Sequence, residues 1–142
     1  MDAYQEQKDV YRAVVAAVGV GHLAALDVLL ARDLIDHNPM PGQAPGIVGF
    51  KQWTTAVRSS FPDVHGSVEI VLAEGDFVAG HIIWRGTQRG WFMAVPPSDR
   101  QVEIAAFRIV RFSGSRIAEW WGTADLLGAL QQLGAQVVPH PR

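Results

Sequence analysis

A chain of 142 residues, 49% apolar and 18% charged, is long enough and apolar enough to bury a core, which excludes a disordered polypeptide. Its formal net charge of -2, without a run of like charges, excludes the electrostatic footprint of a nucleic-acid binder and offers nothing to a membrane surface. Cysteine is absent, so disulfides and thiolate chemistry are excluded, and a reducing, cytoplasmic setting is compatible.

The length predicts one domain spanning residues 1–142. Residues 1–6 are polar and acidic, unlike a signal peptide, and no apolar stretch approaches a membrane span. Val10, Val14, Val15 and Val18 recur at helical spacing and predict a helix over residues 4–18, broken at Gly19-Val20-Gly21. Leu23, Leu26, Leu29 and Leu30 form one stripe of a second helix over residues 22–30. Residues 34–37 read as a short extended segment. The prolines and glycines between Pro39 and Gly46 then mark a loop. A third helix is predicted over residues 47–59, with Phe50, Trp53 and Val57 on its apolar side and Phe61-Pro62-Asp63 as its stop.

From His65 the pattern turns to strand. Strands are predicted over residues 65–73, 77–88, 91–95, 102–112 and 116–121, with turns at Glu74-Gly75-Asp76, Pro96-Pro97-Ser98 and Ser113-Gly114-Ser115. A short apolar helix over residues 126–133 follows. Helices first and consecutive antiparallel strands afterwards predict an α+β domain. Its long sheet would curve as a cone around the N-terminal helices and leave an internal pocket.

Asp125 stands at the junction between the last strand and the last helix. It reads either as the helix N-cap or as an acid/base group beside Trp120 and Trp121, whose apolar surface would raise a carboxyl pKa. In Asp36-His37-Asn38-Pro39, Asp and Asn fit turn chemistry, whereas His37 fits a general base or donor at the edge of a cavity. His81 shares a strand face with Ile83, Arg85 and Thr87, and the opposite face carries Ile82, Trp84 and Gly86; either face could be the inner one. Arg108 alternates with Ala106 and Val110, as a buried anion-binding group or as a surface charge. Trp53, Trp84 and Trp120, with Phe50 and Asn38, would line a pocket for a flat aromatic ligand, or simply pack the core. The histidines hold no metal-ligand spacing, and no phosphate loop, nucleophile elbow or redox fingerprint is present. Catalysis would be acid/base work with neither metal nor cofactor.

Together Asp36-His37-Asn38-Pro39, Gly49-Phe50-Lys51, Phe61-Pro62-Asp63, Ala73-Glu74-Gly75-Asp76, Arg85-Gly86-Thr87, Pro96-Pro97-Ser98-Asp99-Arg100 and Asp125-Leu126-Leu127-Gly128 through Leu133-Gly134 resemble the SnoaL-like polyketide cyclase family, within the nuclear transport factor two-like superfamily. The resemblance covers nearly the whole chain. It implies the curved cone, a pocket and a homodimer or higher homo-oligomer packed through the sheet. It also implies cofactor-independent aldol closure of a small apolar, polycyclic or aromatic substrate, in which a carboxylate removes a carbon-bound proton. In those cyclases the acid/base Asp ends the last strand, with a His two residues before it. These slots fall on Gly122 and Trp120 here, and Asp125 matches another family Asp at the start of the last helix. Asp125 is then the expected acid/base, assisted by His37 or His81 and by Arg108 at an oxyanion. The alternatives are a non-catalytic small-molecule-binding or interaction module on the same fold, and an epoxide-opening or hydroxylation-type relative.

Overall fold

Tyr11, Val14, Val15 and Val18 turn one stripe of helix α1 (Ala3–Val20) inward, and all four are buried. A computed structural model describes residues 3–141; Met1 and Asp2, part of the polar start noted above, lie outside them. The helix continues through Gly19, past its expected stop. It ends at Gly21, whose φ of 70° suits glycine, where Gly21 N–H bonds Val18 O and His22 N–H bonds Ala17 O. Helix α2 (Leu23–Leu29) buries Leu26 and passes directly into strand β1 (Leu30–Asp36). Leu30 therefore opens a strand and does not end the helix.

Helix α3 (Gly46–Ser60) buries Ile47, Phe50 and Thr54. Strands β2 (His65–Glu74), β3 (Phe77–Thr87), β4 (Gln101–Ser113) and β5 (Arg116–Ala124) follow in the expected order, and helix α4 (Leu126–Gln132) comes last. The order across the sheet is β1-β5-β4-β3-β2. β1 lies parallel to β5, so the sheet is mixed and not wholly antiparallel. All the intervening chain serves as the long crossover that a parallel pair requires.

The strand expected at residues 91–95 is absent. Phe92 and Val95 exchange both backbone bonds around Met93 and Ala94, a two-residue reversal inside the β3–β4 connection. Gln88 folds this segment back on itself. Its fully buried amide donates through Nε2 to Gly90 O and Val95 O and accepts through Oε1 from Ser98 Oγ. Satisfying that buried amide outweighs the strand propensity of Trp91-Phe92-Met93.

Register shifts between Val68 and Ile70, between Arg111 and Phe112, and between Leu30 and Ile35 bend the strands. The concave face of the unclosed sheet buries Val78, Ile82, Ala106, Val110 and Ile117 in one core with Tyr11 and Phe50. This is the expected α+β cone. No helix among the described residues is long and apolar enough to cross a membrane.

Candidate functional site

Strand alternation settles the direction of Arg108. Ala106 and Val110, its neighbours in the same-face series, are fully buried on the concave side, and Arg108 points the same way. Its cross-strand partners are Gly80 on β3 and Gly122 on β5. Both leave gaps that other groups fill. A Cβ on Gly80 would lie 2.2 Å from Tyr11 Oη, and one on Gly122 would lie 2.8 Å from Arg108 Nη1.

The guanidinium carbon sits 5.8 Å from the Trp53 ring centroid and 5.7 Å from that of Trp120, within cation–π reach of both. Arg108 is only 8% exposed and poorly bonded. Nη1 makes one long contact to Thr123 O at 3.4 Å, Nε is buried without an acceptor, and Nη2 has none among the described residues. Burial pushes the guanidinium pKa down, opposed by nearby Tyr11 and Asp36. Burial likewise pushes the Tyr11 phenol up to about 12, opposed by Arg108, and the hydroxyl has no partner. A cation so desolvated and under-bonded gains from any oxygen that brings negative charge to it.

A cavity of about 790 Å³ opens over Arg108 and Gly122, a size suited to a small organic molecule. Trp53, Phe50, Trp84 and Trp120 make its wall largely apolar and aromatic, with Arg108 set into it and Asn38 at its edge. Asp36 supplies a carboxylate to the same cavity. It follows buried Leu34 at strand spacing and pairs with Trp120 across β1 and β5. Asn38 N–H donates to its Oδ1 and Gln43 Nε2 to its Oδ2, each at 2.9 Å. Asn38 Oδ1 in turn accepts from Gly122 N–H at 3.0 Å, tying the loop to β5. These bonds fix the orientation of the carboxylate and leave each of its oxygens a free lone pair.

The other expected groups lie elsewhere. Asp125 caps α4, its Oδ1 accepting from Gly128 N–H at 2.9 Å, and it is not among the cavity residues. His37, one residue beyond Asp36, turns away from the cavity: its Nε2 lies 2.8 Å from Glu119 Oε2 and its ring stacks on Trp121 at 4.5 Å. Hydrogen bonds from His37 and Arg111 hold the Glu119 carboxyl below its usual pKa. Ile82 and Trp84 take the core side of β3, so His81 lies on the convex face and stacks on Phe107 at 4.7 Å. Of the four residues expected to act chemically, Arg108 alone lines the cavity, whereas Trp53, Trp84, Trp120, Asn38 and Phe50 all do. Gly122 and Trp120, in the slots of the cyclase pair, also face it. Asp36 makes the turn expected of it, through Asn38 N–H, and is also a cavity carboxylate, a role its period-two spacing from buried Leu34 could have signalled. No three His, Asp or Glu side chains among the described residues gather as a metal site.

No curated protein matches the chain. Among solved structures, TsrD from Streptomyces laurentii superposes with a TM-score of 0.87 at 25% identity, covering 96% of this chain and 99% of that one. IdmH from Streptomyces antibioticus, described as a candidate polyketide cyclase, gives 0.81 at 29% identity, with 90% and 98% covered. AclR from Streptomyces galilaeus, described as a candidate hydroxylase, shares the fold at 24% identity and a TM-score of 0.80, with 92% and 96% covered. The family model for SnoaL-like polyketide cyclases matches residues 8–133. With that match over most of its length, the chain belongs to the SnoaL-like polyketide cyclase family.

Proposed function

We propose that the protein binds a small apolar aromatic or polycyclic molecule bearing carbonyl groups and, without a cofactor, moves a proton on it in an intramolecular aldol-type cyclisation. The observation that carries this reading is the under-bonded Arg108 between two indoles in an otherwise apolar cavity. In this reading Asp36 is the proton acceptor, in place of Asp125. Asp36 takes a proton from the carbon beside a carbonyl, and the enolate oxygen rests on Arg108. The enolate carbon then attacks a second carbonyl of the same molecule, and the new alkoxide recovers the proton.

Asp36→Asn tests it. The variant should keep affinity for aromatic polyketide analogues, followed by tryptophan fluorescence, and lose turnover by at least about a hundredfold. Undiminished turnover would remove Asp36 from the chemistry. Binding with no turnover in the wild type would favour the second reading, a non-catalytic binding module. Gly122 and Trp120 support that alternative, because neither can serve as the acid/base that the cyclases keep in those slots.

The proposal includes a homodimer through the convex sheet face and a cytoplasmic setting. The absence of cysteine is compatible with that setting. The face itself supports the dimer: Ile35, Ile70, Leu72, Phe77, Phe107 and Ile109 lie on it, between 44% and 64% exposed. The ionic group of His37, Glu119 and Arg111 shares the face, with Glu119 and Arg111 between Ile35 and Phe77 in one cross-strand row. Phe107→Glu should convert a sedimenting dimer into a folded monomer, and a wild type already monomeric at micromolar concentration would defeat the dimer.

A further inference from the structure

Three apolar residues of the cavity wall are exposed to solvent. Trp91 is 67% exposed, Met93 45% and Met40 39%. Trp91 and Met93 come from the β3–β4 connection and Met40 from the loop after β1. Core packing accounts for Trp53, Trp84 and Trp120, but not for these three, which cover little of the interior.

The backbone beneath two of them is itself unfavourable. Met93 and Ala94 occupy both central positions of the reversal at φ 47° and 67°, a conformation that suits Asn-Gly and disfavours residues with a Cβ. The base of the loop holds them there. Beyond the Gln88 bonds, Ser60 Oγ donates to Trp91 O at 2.7 Å, Ser60 O accepts from Arg89 and Gly90 N–H, and Arg89 pairs with Asp99 at 2.6 Å. Strain imposed by an over-determined support beside a cavity is a mark of a working surface.

We propose that Trp91 and Met93, with Met40, form an outer subsite that covers the part of a ligand projecting beyond Arg108, so that the protein selects substrates by length. This rests on the reading of the cavity as a site for a flat apolar ligand. The occupant is the distal ring system of that ligand. An indole face and two adaptable thioethers suit a planar aromatic surface better than an aliphatic or charged one.

Calorimetric titration with hydroxylated quinones of two and of four fused rings tests it. Trp91→Ala should weaken the four-ring probe about tenfold and leave the two-ring probe within about twofold, because only the longer one reaches the rim. Met93→Asn combined with Ala94→Gly should raise Tm, since Asn-Gly suits the turn, and still weaken the four-ring probe. An equal loss for both probes in Trp91→Ala, or no loss, overturns the outer subsite. Failure of both probes to bind the wild type, or their undiminished binding to Arg108→Met, overturns the reading of the cavity and the subsite with it.

Discussion

Arg108→Met should lower affinity for an oxygen-bearing aromatic ligand about a hundredfold while leaving folding stability unchanged or slightly higher. The two effects separate because this arginine contributes little to the fold. Its Nε has no acceptor and its one backbone contact is long. An unpaired buried charge costs free energy that methionine, of similar length, does not incur. On the ligand side, losing a charge-assisted bond in a desolvated cavity costs about 3 kcal/mol, which is roughly the expected hundredfold. Arg108→Lys should recover only part of it, since lysine lacks the planar fork that lies near Trp53 and Trp120. Calorimetric titration and thermal unfolding on the same preparations measure both effects. A variant that unfolds would make Arg108 a structural residue, and one that binds as the wild type does would end its role as the anchor.

The strands were readable where local rules and tertiary packing agree. Turn residues at Glu74-Gly75-Asp76 and Ser113-Gly114-Ser115 separate β2 from β3 and β4 from β5 as expected. The helix stripe through Val14 and Val18 also proved buried. Sequence was silent or misleading where a distant partner decides. Residues 91–95 have strand composition, yet the buried amide of Gln88 bends them into a reversal. Leu30 continues a leucine stripe, yet pairs with Ile117 on β5 and becomes strand. The aromatic residues read as a possible wall, Phe50, Trp53, Trp84 and Trp120, do line the cavity, whereas Phe77, Phe107 and Trp121 at similar strand spacing do not. The chemistry of the cavity was less legible. Asp36 and His37 are adjacent and point to opposite sides, and only the pairing of Asp36 with Trp120 shows which one enters the cavity. Asp125 carried two readings, and the bond to Gly128 shows it serving as the cap.

Gly80→Ala should destabilise the protein by about 3 kcal/mol and lower Tm by roughly 10 °C. Gly80 faces the concave side beside Arg108, and Tyr11 reaches across from α1 into the space it leaves. A Cβ there would lie 2.2 Å from the phenol oxygen, 2.5 Å from Cζ and 2.7 Å from Cε1. A fully buried ring cannot swing aside, so α1 must move outward. Tyr11→Phe alone should be nearly neutral, because the hydroxyl has no partner to lose. In the double variant it should recover about 1 kcal/mol, as the ring carbons still clash. The same displacement moves the group packed beside Arg108, so ligand affinity should fall along with stability in Gly80→Ala. Thermal unfolding of the four-member cycle decides it. A Gly80→Ala protein that melts with the wild type would mean that Tyr11 is not seated in this gap, and that Gly80 does not shape the packing beside Arg108.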